Sequence, residues 1–176
     1  MAFYFYLFSA LTLCLILLVF NITFGLPIII GIPFAVSKQS RVRRIVELAK
    51  ELSGEPASRQ ALDLGWGDGR YVVALAQAGW QAQGVEINPF LVWLTKWKIW
   101  RAKLKAKAFV QRANFWQTDL SSYDVIVLFG VFYVMARLEK KMLAELKPGT
   151  IVICNHYQFP NWPALKQEKD IFIYKR

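Results

Sequence analysis

From residue 42 onward, the apolar positions of the chain switch repeatedly between two spacings. Apolar residues three or four positions apart predict helices over 42–52, 70–78 and 133–146, and Asn88–Pro89 predicts the start of a further long helix. Short apolar runs between these helices predict strands at 60–65, 81–87, 107–112, 123–131, 150–157 and 170–176. Strands that alternate with helices predict an α/β fold, an open parallel sheet with helices on both faces.

The first part of the chain has no such alternation. Residues 2–24 form an apolar run of 23 residues without a charge. As a helix it would span about 34 Å, enough for a hydrocarbon core of about 30 Å. It therefore predicts a transmembrane helix, with a buried core helix as the alternative. Glycine and proline interrupt 25–36, which predicts an exit segment rather than a second span.

The charges after this run set the expected topology. Four cations lie between residues 38 and 44, ahead of the first acid, Glu47. Basic residues flank the cytoplasmic ends of membrane helices. We therefore expect a single-pass membrane protein with its N-terminus outside and the rest of the chain in the cytoplasm, or in the matrix if it is mitochondrial. The expected division is an anchor and exit segment over 1–36 and one domain over 37–176.

The composition narrows the classes of function. With 22 Lys and Arg against 12 Asp and Glu, the formal net charge is +10, and residues 87–118 carry seven cations and no acid. Near an anchor, such cations are expected to meet anionic lipid. One histidine and two cysteines argue against a metal site and against a disulfide framework.

Three tryptophans in this basic region share one face of the predicted helix. Trp93, Trp97 and Trp100 follow the helical spacing i, i+4, i+7. We expect this face to pack in the core, with the lysines solvated opposite. Aromatic residues interleaved with bases also occur in nucleic-acid-binding proteins, but beside an anchor the charge indicates a membrane surface, and we expect no nucleic-acid partner.

A glycine-rich turn lies where the first strand becomes a helix. Gly65, Gly67 and Gly69 occupy alternate positions there, and Glu86 ends the second strand. Ligands of open α/β sheets bind beyond the carboxyl ends of the strands, and an acid at the position of Glu86 can accept from both hydroxyls of a ribose. The spacing is not that of the dinucleotide fingerprint, because the third glycine comes one residue early.

The phrase D-x-G-x-G-x-G, which begins at Asp63, instead resembles motif I of the class I S-adenosylmethionine-dependent methyltransferases. The resemblance covers residues 58 to about 157. It implies a Rossmann-like sheet of order 3-2-1-4-5 with a last antiparallel strand, and S-adenosylmethionine as the cofactor. It also implies that the glycine loop takes the methionine end and that Asp63 fixes the cofactor's amino group.

The resemblance assigns the remaining cofactor contacts as well. Glu86 holds the ribose, and Asn114, after the third strand, meets the adenine with Phe115 beside it. Two residues depart from the family pattern. Asn114 stands where Asp is common, and Trp66 stands where a small residue is usual, so that it either covers the cofactor or packs inward. Only residues 113–122 join the third and fourth strands, so the usual helix there is expected to shrink to one turn or vanish.

Two longer stretches, "GVEINPFLVWLTKWKIWRAK" and "LFGVFYVMARLEKKMLAELKPGTIVICNHYQFPNW", carry a closer resemblance. They are similar to the membrane-anchored lysine methyltransferases of the adenine nucleotide translocase and the ATP synthase c-subunit, and to their bacterial relatives. The sequence departs from that pattern at Phe132 and Val36. The resemblance implies Nε-methylation of a lysine in a membrane protein substrate.

The candidate catalytic residues Tyr133, His156 and Tyr157 lie after the fourth and fifth strands, where an aromatic channel for the lysine is expected. Such a channel lowers the pKa of an amine by desolvation. His156 either accepts the proton of the amine or orients Tyr157. The other expected lining residues are Phe129, Gly130, Phe132 and Asn155, with Phe159, Pro160 and Trp162 as a lid.

Two other functions are open at this point. The same cofactor site would serve methylation of a small-molecule or lipid amine, and the module could bind the cofactor without catalysis. Nothing in the sequence defines the oligomeric state.

Overall fold

The computed structural model describes residues 2–20, 37–56, 59–65 and 67–176. Within it, the chain divides into two compact units, Met1–Phe34 and Ala35–Arg176.

The first unit contains helix α1, Ala2–Phe20. It has 19 residues, none of them charged, and its described side chains are exposed. At 1.5 Å per residue, such a helix is about 28 Å long. Residues 21–24 of the predicted span, and the predicted exit segment, lie outside the described residues. Over the described part of the chain, no helix has both the length and the apolar character needed to cross a membrane, so the predicted transmembrane helix is not found.

The second unit is an α/β domain built on a seven-stranded sheet of order β3-β2-β1-β4-β5-β7-β6. Its strands are β1 Gln60–Asp63, β2 Gln81–Glu86, β3 Ala108–Arg112, β4 Val125–Phe129, β5 Ile151–Asn155, β6 Lys166–Glu168 and β7 Ile171–Lys175. Its helices are α2 Gln39–Ser53, α3 Arg70–Gln77, α4 Pro89–Arg101 and α5 Phe132–Glu145. Strands β1 to β5 pair in parallel, and β7 is antiparallel to β5 and β6. The predicted order and the antiparallel last strand are confirmed, whereas β6 was not predicted.

Helices α2, α3 and α4 cover one face of the sheet. Their apolar stripes meet the inward residues of the strands, as in the contacts of Ile45, Leu75 and Ile99 with one buried cluster. The start of α4 is capped as expected, since the Asn88 side chain accepts from the backbone N–H of Phe90 at 2.9 Å. The buried positions of α4 are Val92, Thr95 and Ile99.

The opposite face is only partly covered. Helix α5 buries Met135, Leu138 and Met142 there. The link between β3 and β4 holds a single 3-10 turn, Phe115–Gln117, so the predicted loss of the usual helix is confirmed. Without that helix, Phe109 of β3 stays exposed.

Two arginines join α2 to the last strands. Arg44 donates two hydrogen bonds of 2.8 Å to the carboxylate of Glu168, and Arg41 pairs with Asp170 at 3.1 Å. Hydrogen bonds from Arg44 lower the pKa of Glu168 to about 2. These cations therefore have a structural role in addition to any effect on membrane topology.

Candidate active site

The glycine loop follows β1 at the carboxyl edge of the sheet, as predicted. Gly65 has φ +55°, and a Cβ there would lie 2.0 Å from the carbonyl oxygen of Val85 in β2. Gly69 has φ +74° and packs against Thr95 of α4. Glycine at these two positions lets the loop lie directly on β2 and α4. Trp66, a predicted cofactor-binding residue, lies outside the described residues, so its role stays a prediction.

Asp68 holds the loop to the two helices beside it. Its carboxylate accepts from Arg70 Nε at 2.8 Å and from Lys98 Nζ at 2.5 Å. Burial acts to raise the pKa of Asp68, but the hydrogen bonds from both cations outweigh it and bring the pKa to about 2. Asp68, Arg70 and Lys98 were not predicted from the sequence. The loop is thus fixed by ion pairs as well as by close backbone packing.

Glu86 ends β2 next to this loop and is almost completely buried. Its Oε1 accepts from the backbone N–H of Asn88 at 2.8 Å. Its Oε2 has no hydrogen-bond partner among the described residues. Burial raises the pKa of Glu86, and the backbone amides of Asn88, Gly67 and Ile87 oppose that shift. A buried carboxylate oxygen without a donor is costly, which suits a site that receives hydroxyl donors from a ligand.

A second buried carboxylate lies at the end of β1. Burial, together with the nearby charges of Glu86 and Asp68, raises the pKa of Asp63 to about 7. A carboxyl group with that pKa is partly protonated near neutrality. A bound cation would favour its ionised form. Asp63 and Glu86 therefore form an acidic pair at the adjacent ends of two paired strands.

The predicted adenine contacts lie just after β3. The Asn114 side chain accepts from the backbone N–H of Trp116 at 3.1 Å and so caps the 3-10 turn. Phe115 is buried, with its ring centroid 4.5 Å from that of Trp116. A carbonyl oxygen has two lone pairs, so the cap leaves Asn114 able to accept a second bond. The roles of Asn114 and Phe115 at a cofactor stay predictions.

An aromatic cluster occupies the carboxyl ends of β4 and β5, where the channel was expected. The His156 ring stacks on Phe129 at 5.6 Å and meets the edge of Tyr157 at 4.6 Å. Phe132 contacts the rings of Tyr133 and Tyr157, at 5.2 and 6.3 Å. Three of these rings, those of Phe132, Tyr133 and Tyr157, are exposed. The structure thus brings the three predicted catalytic residues together on an accessible surface.

His156 is held by the backbone around it. It adopts a φ of +95°, which is uncommon for a residue with a side chain. Its N–H donates to the carbonyl of Asp170 at 2.7 Å. A Cβ on Gly130 would lie 2.9 Å from the backbone nitrogen of Tyr157, so the two loops touch at this glycine.

A buried polar network under this cluster was missed from the sequence. Asn155, at the end of β5, donates to Ser37 Oγ at 2.9 Å and to the Tyr71 hydroxyl at 3.1 Å. Its Oδ1 accepts from Arg41 at 2.9 Å. Burial raises the pKa of Tyr71 to about 12, so its hydroxyl stays protonated. Asn155 was expected to line the channel. Its side-chain amide instead bonds to Ser37, Arg41 and Tyr71, and so joins three segments of the chain next to His156.

One residue of the predicted lid, Phe159, packs into the domain. Phe159 is buried, stacks on Trp162 at 5.5 Å, and contacts the Tyr174 ring at 4.8 Å. Its backbone N–H donates to the Tyr174 hydroxyl at 2.9 Å. Phe159 thus packs against β7, and the role of Phe159, Pro160 and Trp162 as a lid stays a prediction.

The sequence of the domain matches a family of known proteins. A family model described as the ANTKMT methyltransferase domain matches residues 63–166. The mouse lysine N-methyltransferase of the ATP synthase c-subunit is 35% identical over 131 residues, 74% of this chain and 51% of that protein. The mouse adenine nucleotide translocase lysine N-methyltransferase is 33% identical over 77% of this chain and 58% of its own length. This chain therefore spans only about half the length of the first of these relatives.

A shorter relative is covered more completely. The protein-lysine N-methyltransferase of Saccharolobus islandicus is 30% identical over 74% of this chain and 80% of its own length. Among solved structures, an RNA methyltransferase from Salinibacter ruber in complex with S-adenosyl-L-homocysteine aligns with a TM-score of 0.71 and 24% identity. It covers 80% of this chain and 93% of the other. At this level of identity, the structural match concerns the fold.

Proposed function

Because the chain belongs to the ANTKMT methyltransferase domain family, we propose that it is an S-adenosylmethionine-dependent methyltransferase that methylates a lysine side chain of a protein. The observation that carries this proposal is the pairing of two features at one edge of the sheet. The buried acids Asp63 and Glu86 end β1 and β2, and the exposed aromatic cluster follows β4 and β5. The names of the relatives add the lysine and the protein substrate.

The residues present fit the cofactor. The partnerless Oε2 of Glu86 suits the hydroxyls of a ribose, and the ionised form of Asp63 suits an amino group. The glycine loop would take the methionine end, and Asn114 and Phe115 would meet the adenine. When bound, S-adenosylmethionine supplies an activated methyl group.

The aromatic cluster would receive the lysine side chain. A lysine must be neutral to attack, and covering the rings with a protein substrate would remove water and lower the pKa of the amine. His156 lies among these rings and is the group placed to accept the proton that the amine loses. Its left-handed backbone and the Asn155 network beneath it hold the imidazole in position.

We also propose that the substrate is a membrane protein and that helix α1 enters lipid. Its described side chains are apolar and exposed, including Phe8, Leu11 and Leu15. Such a surface is costly in water. We therefore propose that the protein is located in a membrane, with the domain in the cytoplasm or matrix.

The function is tested by transfer of tritium from methyl-labelled S-adenosylmethionine. Membranes from cells that lack this gene are the substrate, and we expect label in methyl-lysine of a protein after acid hydrolysis. His156→Asn should reduce transfer while cofactor affinity is unchanged, because asparagine tolerates positive φ but carries no imidazole. Label in lipid or in a small amine would contradict a protein substrate, and cofactor binding without transfer would contradict an enzyme.

A pH dependence of cofactor binding follows from Asp63. Below pH 7, the free protein binds a proton at this carboxyl that the complex with a cationic ligand must release. We expect affinity to fall by about fivefold between pH 7 and pH 6, because about half of Asp63 is already protonated at pH 7. Asp63→Asn should bind more weakly and lose this dependence, which separates Asp63 from Glu86 and Asp68 nearby. Calorimetric titration in buffers of different ionisation enthalpy counts the released proton, and a pH-independent wild-type affinity would contradict the assignment.

The raised pKa of Asp63 also makes the stability of the domain depend on pH. Its value in the folded chain lies above the usual 3.8, so the folded state binds more protons than the unfolded state between about pH 4 and pH 7. The contribution of Asp63 to the free energy of unfolding therefore decreases as the pH rises through that window.

A further inference from the structure

The outward face of α4 is aromatic, contrary to the expectation that its tryptophans pack in the core. Trp93 is 60% exposed, Trp97 41% and Trp100 59%, and Phe90 at the start of the helix is also exposed. The helix buries Val92, Thr95 and Ile99 instead. Four large aromatic side chains thus form a continuous stripe on the domain surface, which we call the tryptophan face. Contiguous exposed apolar side chains, as opposed to single scattered ones, mark an interaction site.

The tryptophan face is surrounded by positive charge. Lys96 lies within the stripe, and the Arg101 guanidinium lies 5.4 Å from the centre of the Trp97 ring. The turn that follows adds three exposed lysines at 103, 105 and 107. Among the described residues, none of these five cations forms an ion pair with a carboxylate, and no acid occurs between Glu86 and Asp119 in the sequence. The charges are therefore free to meet an external anion.

We propose that the tryptophan face is a docking surface for an anionic lipid bilayer, on which α4 lies parallel to the membrane plane. Tryptophan prefers the headgroup region, where its ring is partly buried and its N–H reaches polar atoms. Each lysine or arginine near an anionic surface adds about 1 kcal/mol of attraction. A helix with one aromatic face flanked by cations, and with its other face packed in the domain, matches an interfacial membrane helix.

Lipid fits this surface better than single-stranded nucleic acid does. Nucleic acid binding combines stacking aromatics with a positively charged groove that follows the backbone. Here the aromatic side chains stand on the convex outer side of a helix. The same chain also carries α1, whose exposed side chains have the chemistry of a lipid-facing surface.

This docking would determine how far the active site lies from the membrane surface. Helix α4 begins at Pro89, directly after Asn88. The backbone N–H of Asn88 donates a hydrogen bond to the carboxylate of Glu86. A bilayer against α4 would therefore contact the helix that starts directly after the acid that we assign to the ribose. This consequence rests on the proposed function, whereas the lipid contact itself does not.

The test measures quenching of tryptophan fluorescence by brominated acyl chains in the full-length chain, reconstituted in vesicles of phosphatidylcholine and phosphatidylglycerol. Quenching is chosen over co-sedimentation because α1 alone could hold the chain to vesicles. In the combined variant Trp93→Phe, Trp97→Phe, Trp100→Phe, we expect nearly all of the quenching to be lost, since the three of the seven indoles that lie near the acyl chains are gone. Trp162→Phe is the matched control and should show a quenched fraction no lower than the wild type, because it removes an indole that packs on Phe159 and Tyr174.

Three outcomes would overturn the proposal. One is equal quenching in the wild type and the combined variant, provided both show the same circular dichroism melt. Another is unchanged quenching when phosphatidylglycerol is replaced by phosphatidylcholine, which would remove the role of the cations. The third is protection of these tryptophans from aqueous acrylamide by a single-stranded RNA oligonucleotide but not by vesicles, which would assign the face to nucleic acid.

Discussion

Replacing Glu86 with alanine should weaken S-adenosylmethionine binding about a hundredfold and abolish methyl transfer while the domain stays folded. The carboxylate can accept from two ribose hydroxyls, and a hydrogen bond to a charged group contributes about 1.5–3 kcal/mol. Losing two such bonds amounts to about 3 kcal/mol, or about a hundredfold in the dissociation constant. Calorimetric titration with S-adenosylmethionine measures this directly.

The fold should tolerate the Glu86 change because, in the free protein, the cost of burying this carboxylate offsets its hydrogen bond from the Asn88 amide. Burial raises its pKa, and its Oε2 lacks a partner within the described chain. A thermal melt of the Glu86→Ala variant should therefore match the wild type within a few degrees. Glu55→Ala, at a highly exposed glutamate on the surface, is the control for loss of a negative charge. Wild-type affinity in Glu86→Ala would contradict the site assignment.

The Gly65→Ala substitution should lower the free energy of unfolding by about 4 kcal/mol, near the upper end for single substitutions. The added Cβ would lie 2.0 Å from the carbonyl oxygen of Val85. The Cβ is fixed to the backbone of residue 65 and the oxygen belongs to the backbone of β2, so neither atom can move without its strand or loop. The positive φ adds about 1–2 kcal/mol of strain. Urea unfolding followed by circular dichroism gives the value.

Gly149→Ala separates the two contributions. Gly149 has φ +88°, so alanine there has similar backbone strain, but a Cβ would meet no atom within 4 Å. Its substitution should cost about 1–2 kcal/mol, the strain alone. Equal losses at both glycines would show that the contact with β2 is relieved by a shift of the loop, and would remove the steric reason for glycine at position 65.

Much of the domain could be predicted from local pattern and chain length. The alternation of strands and helices predicts the open α/β sheet, and a link too short for another helix predicts the single turn between β3 and β4. The strand order was implied by the resemblance to the class I methyltransferases. Strand β6 was missed because Lys166–Glu168 is three polar residues long and has no apolar pattern. It exists because β7 offers an edge for antiparallel pairing.

The tryptophan face shows the limit of periodicity. A spacing of three and four residues places side chains on one face of a helix but does not say which face meets the sheet. In α4, the smaller residues Val92, Thr95 and Ile99 have the same spacing as the tryptophans and are the buried set. Thr95 must lie inward because the Gly69 turn packs against it.

The candidate site was predicted where it depends on residues close to strand ends, and missed where it depends on distant partners. Asp63, Glu86 and the aromatic cluster each follow a strand directly, so topology alone brings them to one edge. The network of Ser37, Tyr71 and Asn155 joins residues 34 to 118 positions apart. No local pattern encodes such a contact.

The ion pairs between α2 and the last strands also determine when the domain can be completed during synthesis. Arg41 and Arg44 bond to partners 114 to 129 positions further along the chain. Contacts between such distant residues form late, because closing a long loop costs entropy before any contact compensates for it. Helix α2 is synthesised before Glu168 and Asp170, which follow every strand of the parallel part of the sheet. The ion pairs with these acids therefore close only after β1 to β5 have been made, whereas the apolar stripe of α2 can already pack on α3 and β4.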